Sequence, residues 1–240
     1  MEFKADALLL RAVDYGENDK IATLLTADRG KISASLKGVK KAGAKLRFAA
    51  QPFCFAEYVF ASRGSRNTVT SAALYDGFYP LCEDVARYYA AAVVTDACDK
   101  LALEGMQAGQ LLIAAVTALR GLCTDDPLAL VKFLLSALAF AGYPVETGAC
   151  PACGLVPSGR MRFSFADGAF FCDGCLPDAV PASESTFSAL RAARGGGTAT
   201  ADGTVRALRL LGAYFARQVG AELPALGEYL RILRADGESA

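Results

Sequence analysis

The sequence of 240 residues contains no histidine. That removes the side chain most often used as a general base and the commonest nitrogen ligand for metals. Net charge is missing too. Twenty-five Lys+Arg balance 25 Asp+Glu, so bulk charge names no partner. Long apolar runs are absent. The most apolar helical stretches, residues 111–119 and 129–141, fall short of the about 20 residues a bilayer crossing needs, and Lys132 interrupts the second. The opening MEFKADALLL has an acid at position 2 and too short an apolar run for a secretory signal. There is no G-x-x-x-x-G-K-S/T phosphate loop, and no nucleophile–base pair or carboxylate metal cluster stands out. With 53% hydrophobic and 21% charged residues, the chain reads as globular rather than disordered. The expectation is a cytoplasmic, non-catalytic protein with reduced thiols and no membrane partner.

Eight cysteines are present. Cys54, Cys82, Cys98 and Cys123 stand singly among apolar residues and read as small buried core residues. The other four form C-x2-C, 18 residues, C-x2-C: Cys150, Cys153, Cys172 and Cys175. Two tight turns each supply two thiolates, which together make the corners of a tetrahedron. Gly154 and Gly174 relax the backbone at those turns, and residues 160–166 and 169–171 around Asp167-Gly168 read as a hairpin between them. Disulfides, an iron–sulfur cluster and a catalytic zinc are the competing readings. A deaminase-type catalytic site needs an H-x-E or C-x-E element and an open ligand position. Neither is present here, so one structural Zn2+ is expected.

The zero net charge hides a division. Residues 1–80 hold 12 Lys+Arg and 8 Asp+Glu, and the remainder holds 13 and 17. Arg29, Lys31, Lys37, Lys40, Lys41, Lys45, Arg47, Arg63 and Arg66 face one acid in the same window, Glu57. So one-sided an excess creates a local field. Its densest part, residues 37–47 (KGVKKAGAKLR), can offer ammonium groups and backbone amides to phosphates.

Residues 5–13, 21–26, 31–36, 53–60 and 67–74 read as five strands. Turns at 14–18, 28–30 and Ser62-Arg63-Gly64-Ser65 separate them, which predicts a small barrel or sandwich. Tyr15, Phe53, Phe55, Tyr58 and Phe60 include candidate base platforms, but strand alternation sends some of them into the core. After residue 79 the pattern is helical. A helix is expected from Pro80 to about 103, a second over 110–119, and a third capped by Asp126-Pro127 and ended by Gly142. Ser183 or Ser185 caps a fourth through 194, and a last long helix begins near Thr204, with Leu208, Leu211, Phe215 and Val219 on its core face.

The order of these elements resembles the RecO family of bacterial recombination mediators over nearly the whole length. The similar parts are the opening strands, glycine turn and basic loop ending in Gln51-Pro52-Phe53, the helix ending FLLSALAFAGYP, and the cysteine pairs that follow it. The resemblance implies an α+β multidomain chain. An N-terminal OB-fold barrel (1–79) is followed by an α-helical domain (80–147 and 179–240) with an inserted four-cysteine zinc finger (148–178). It implies binding to single-stranded and double-stranded DNA, strand annealing, and cooperation with RecR in loading RecA onto strands coated by single-stranded-DNA-binding protein. It also implies a nucleoid-associated location and contact with the C-terminal tail of the single-stranded-DNA-binding protein, for which Lys132 is the candidate residue. The family's basic element in its last helices is missing: the stretch GAELPALGEYL is acidic and apolar. Two other readings are a zinc-ribbon protein-interaction module and a zinc-dependent nucleic-acid-processing enzyme.

Overall fold

The computed structural model describes residues 1–64 and 66–238, the side chains of 236–238 excepted. Ser65, the last residue of the expected 62–65 turn, lies outside the described residues. The chain packs as two compact units, Met1–Cys123 and Thr124–Ala240.

The first unit begins with five strands: β1 (Glu2–Tyr15), β2 (Asp19–Thr26), β3 (Gly30–Leu36), β4 (Phe55–Arg63) and β5 (Arg66–Asp76). They close a barrel in the order β1-β2-β3-β5-β4. β1 is long because it serves two neighbours. Residues 2–8 pair with β4 and residues 7–15 with β2. The register slips between Leu9 and Arg11. Such a bulge inserts one unpaired residue and bends the strand, and here Leu8, Leu9 and Leu10 are all buried in succession. Alternating residues fill the barrel: Leu9, Leu24, Ile32, Leu36, Tyr58, Phe60 and Val69. Burying each large side chain contributes about 1.5–3 kcal/mol. Tyr58 keeps its polar tip satisfied by donating to the Ala49 carbonyl at 3.1 Å.

Helices α1 (Val85–Leu101) and α2 (Gly109–Cys123) pack against β1 and β2. The expected helix start at Pro80 is corrected. Residues Tyr79–Cys82 form a separate 3-10 turn that follows Phe78, whose φ is +46°. The α-helix starts only after Asp84, whose carboxylate accepts from the Arg87 N–H at 2.7 Å. An aspartate cap satisfies an orphan N–H there, which a proline cannot do. The α1–α2 connection holds the β2–β3 turn: Lys31 N donates to Leu103 O at 3.2 Å and Gly105 N to Arg29 O at 2.9 Å. Gly30, at φ +60°, makes this possible, because a Cβ there would lie 2.0 Å from Leu103 O.

The second unit contains α3 (Ala129–Phe140), a small sheet of order β7-β6-β8, and three further helices. The strands are β6 (Met161–Ser164), β7 (Ala169–Cys172) and β8 (Val180–Ala182). The helices are α4 (Glu184–Ala193), α5 (Ala201–Val219) and α6 (Pro224–Glu238). Ser183 caps α4 by accepting from Thr186 N. Phe163 sits among the rings of Phe165, Phe170 and Tyr214, and Phe187 of α4 meets Phe170 at 4.9 Å. The long helix expected to begin near Thr204 is α5, which starts three residues earlier, at Ala201, and a further helix follows it. Gly220 ends α5 in the left-handed conformation and Pro224 opens α6.

Of the four scattered cysteines, Cys54 and Cys98 are core residues as expected. Cys82 is exposed and Cys123 only half-buried. The first ends the 3-10 turn and the second is the last residue of α2, where packing thins. Among the described residues no helix is long and apolar enough to cross a membrane.

Candidate nucleic-acid interface and metal centre

The nine basic residues singled out in the sequence do not share one surface. Lys37, Arg63 and Arg66 line one open groove of about 690 Å³ with Tyr15, Ile21, Ser33, Ser35 and Thr68, and with no carboxylate in its walls. The groove lies where β3 and β5 pair in parallel, at Ala34↔Asn67 and Ser35↔Thr68 alone. So short a ladder leaves strand surface uncovered, as side chains of Ser33, Ser35 and Thr68 take up little room. Arg63 and Arg66 face each other across the β4–β5 hairpin end, which concentrates positive charge at one rim. At the other rim Lys37 lies 6.0 Å from the ring of Tyr15.

Of the five candidate platforms, the structure leaves Tyr15 open at 61% exposure, while Phe53, Tyr58 and Phe60 are core. Phe55 is half-buried and tilts against Tyr75 at 5.2 Å. Strand parity decides this: Tyr58 and Phe60 point inward with Ala56, and Tyr15 stands at the end of β1 beyond the last inward position.

The remaining basic residues divide by what holds them. Lys31 is taken by α1, with its ammonium 3.0 Å from the Asp99 carboxylate and bonded to the Asp99 carbonyl. Arg29 lies over Phe3, 4.1 Å from the ring centroid. Lys37 and Lys40 pair with Asp19 and Asp14 at 2.7 and 2.6 Å. Hydrogen bonds from Lys40 and then Lys20 hold the Asp14 carboxyl below its ordinary range. The Gly38 N–H and then Lys37 do the same for Asp19. Lys41, Lys45, Arg47, Arg63 and Arg66 are exposed and make no ion pair among the described residues. Lys40 and Arg47 belong to a second cleft, together with Arg11 and Lys20. The sequence reading missed those last two. The one available signal was an arginine lodged inside the apolar run ALLLRAV.

In the second unit, the Sγ atoms of Cys150, Cys153, Cys172 and Cys175 all lie within 4.8 Å of one another. A tetrahedron with metal–sulfur bonds of about 2.3 Å has edges of about 3.8 Å, and the Cys153–Cys172 separation is 3.7 Å. The residues therefore fit a tetrahedral metal ion. The backbone builds both corners. Cys150 N donates to Leu155 O at 2.7 Å, Gly154 N to Cys150 O at 2.9 Å, and Cys175 N to Cys172 O at 2.9 Å. Gly154 takes φ +75°, as its turn requires, whereas Gly174 does not adopt a positive φ.

The thiols share charge unequally. Burial opposes ionisation of Cys150, but the N–H groups of Cys172, Cys153 and Ala152 outweigh it and bring its thiol to about 6. Hydrogen bonding to Cys153, then burial and the neighbouring sulfurs, push Cys175 up to about 12 and Cys172 in the same direction. The four sulfurs thus sit close enough to shift one another's ionisation, and a bound cation would favour the thiolate form of all four. The hairpin between the knuckles is as expected, with a Ser164–Asp167 hydrogen bond of 2.6 Å inside its turn. Arg162 pairs with Asp173 at 2.9 Å and donates to the carbonyls of Pro177 and Ala179. Lys132, on α3, pairs with Asp126 at 2.7 Å.

Fold and site together define a class: an OB-like five-stranded barrel followed by a helical unit with a four-cysteine cluster able to hold a metal ion. The comparisons with known proteins carry this to a family. Residues 1–78 match the family model "Recombination protein O N terminal" and residues 82–227 match "Recombination protein O C terminal". A protein of Myxococcus xanthus named DNA repair protein RecO is 31% identical over 229 residues, covering 92% of this chain and 94% of that one. The protein of the same name from Anaeromyxobacter dehalogenans is 32% identical over 82% and 81%, and that from Bacillus pumilus is 29% identical over 80% and 76%. The chain belongs to the RecO family of DNA repair and recombination proteins.

Proposed function

We propose that this protein is a non-catalytic recombination mediator that binds single-stranded and duplex DNA and anneals complementary strands. The observation that carries the proposal is the barrel groove. It holds Lys37, Arg63 and Arg66, no carboxylate and an exposed Tyr15 on an OB-like barrel. A cationic channel with an aromatic platform is what a single strand needs: charge for its phosphates and a flat face for a base. Annealing breaks no covalent bond, so it calls for charge neutralisation rather than a nucleophile.

In this reading residues 1–79 form the DNA-binding domain. Residues 80–147 and 179–240 form a helical domain that meets protein partners, and residues 148–178 form a zinc finger. The four cysteines hold one structural Zn2+, since a closed four-thiolate set leaves no position for water. The partners are RecR, the acidic tail of single-stranded-DNA-binding protein through the surface around Lys132, and indirectly RecA. The protein works in the cytoplasm on the nucleoid.

A salt titration of single-strand affinity tests the groove. Each phosphate contact contributes about 0.7 to the slope of log affinity against log salt. The Lys37→Ala/Arg63→Ala/Arg66→Ala variant should therefore lose about 2 from the slope and bind more weakly at every salt concentration. An unchanged slope rejects the groove as the strand-binding surface.

A further inference from the structure

We infer that the barrel unit holds two nucleic-acid strands at once, the second in a separate cationic cleft between β1, the segment 39–53 and α1. The inference rests on the nucleic-acid reading of the barrel. It joins Arg11 and Lys20, outside the basic window of the sequence, to Lys40 and Arg47 within it, and assigns the site to a single strand.

The cleft has a volume of about 630 Å³. Arg11 and Lys20 come from β1 and β2, Lys40 and Arg47 from the loop after β3, and Tyr88 from α1. Four cations line it and no carboxylate does. Their tethers are at the edge. Asp14 lies 3.3 Å from Lys20 and 2.6 Å from Lys40, and Asp99 lies 3.7 Å from Arg11. The Asp14 side chain is 57% exposed, and pairs as wet as this contribute little. They position the cations yet yield readily to phosphate. Arg47 makes no ion pair among the described residues.

The rest of the lining is suited to a base. Tyr88 is half-exposed and stands edge-on to Phe53 at 5.4 Å. Phe53 is buried and held at φ +64°, a conformation that costs a bulky residue about 1–3 kcal/mol and persists where the surroundings enforce it. The Leu9 N–H to Cys54 carbonyl bond of 2.8 Å is part of that enforcement. Ala12, Ala50, Pro52 and Ala92 leave the walls low beside the ring. A low wall with an aromatic face and four cations suits stacked bases on a charged backbone better than a peptide, which would want a deep apolar pocket.

The two sites adjoin through the chain itself. Lys37 lines the groove and Lys40 lines the cleft, within one turn that is fixed by Gly38 N donating to Asp19 at 2.7 Å and Lys40 N to Asn18 O at 3.0 Å. Strands seated on either side of this turn have their repulsion neutralised by one cationic ridge. That is the physical requirement for pairing them.

The test uses the full chain, a short fluorescent oligothymidylate at low salt for stoichiometry, and two complementary oligonucleotides for annealing. The unaltered protein should bind two oligothymidylates per chain. Arg11→Ala/Arg47→Ala should bind one and anneal about tenfold more slowly, and Arg11→Lys/Arg47→Lys should restore both. A fold defect cannot mimic this, because an unfolded chain would also lose the groove strand. A strand carrying 5-iododeoxyuridine should photocrosslink to Tyr88 as well as to Tyr15. If the alanine variant still binds two strands, or anneals at the unaltered rate, the second strand site is overturned. Loss of binding to a short acidic peptide with oligonucleotide stoichiometry intact also overturns it, assigning the cleft to a protein partner. If the unaltered protein binds no oligonucleotide in a salt-dependent way, the nucleic-acid reading itself fails. That outcome is distinct from failure of the cleft.

Discussion

Arg63 and Arg66 of the barrel unit and Arg162 of the cysteine unit are held in opposite ways. In the barrel, Arg63 and Arg66 project from a hairpin end, exposed and with no ion pair among the described residues. In the cysteine unit, Arg162 turns inward and spends its guanidinium on Asp173 and two carbonyls that tie the second knuckle to β8. The first arrangement leaves donors available to a ligand, and the second uses them up in the fold. Charge type is therefore a poor guide to function here, and the state of its partners is a good one. A four-cysteine motif invites a DNA-binding zinc-finger reading. The partnering of Arg162 supports the proposed division, in which the four cysteines build structure while the barrel meets DNA.

Removing the proposed zinc should break this contrast most sharply. Structural zinc contributes about 10–16 kcal/mol of apparent binding free energy in small domains. A strong chelator, or Cys150→Ser, should therefore collapse the cysteine unit, seen as loss of its protease resistance. Single-strand affinity should fall far less, since the groove lies wholly in the barrel unit. Equal loss of both would show that the metal site takes part in DNA binding.

A smaller effect is expected from the barrel side. Gly30→Ala puts a side chain at φ +60° and drives a Cβ into the Leu103 carbonyl. The conformation alone costs about 1–3 kcal/mol, so the barrel transition in a denaturant melt should shift to lower midpoint while bound metal stays at its original level. A melt that leaves the midpoint in place would mean that the α1–α2 connection does not clamp the β2–β3 turn.

The smallest effect sharpens the distinction between available and occupied cations. Asp19→Asn releases Lys37 and should raise single-strand affinity a few-fold, measured by anisotropy at low salt. The pH dependence has a definite sign. The Asp19 carboxyl is held below its ordinary value of 3.8 in the folded protein, first by the Gly38 N–H and then by Lys37. Its contribution to stability is present above that value and lost as pH falls through the folded one. The Asn variant should lack this part of the acid-side decline. An identical acid limb in both proteins would show that the pair contributes nothing.

Much of the architecture was legible because it is local. All five strands lay in short apolar, aromatic or alternating segments, most of them separated by Gly, Asp and Asn turns, and the cysteine spacing alone named the four residues that converge within 4.8 Å. Other features were hidden because they depend on competition between neighbours. Pro80 suits a helix start in isolation, yet Asp84 supplies the cap and wins. The segment after Val219 reads as acidic and apolar, but Gly220 and Pro224 divide it into a stop and a new helix. Lys31 looks like its basic neighbours and is removed from the candidate surface by Asp99, 68 residues away.

Sequence by itself determined the pieces: the barrel's strands, the excess of positive charge within them, and the four cysteines that cluster. Each follows from side-chain period, turn chemistry or fixed spacing, which act over a few residues. Tertiary structure decided which charges remain available and where they gather. Closing the barrel set Lys37 beside Arg63 and Arg66, turned Tyr58 and Phe60 inward and Tyr15 outward, and brought Arg11 and Lys20 to Lys40 and Arg47. Strand register and helix docking govern those outcomes, and both are set by contacts between residues far apart in the chain.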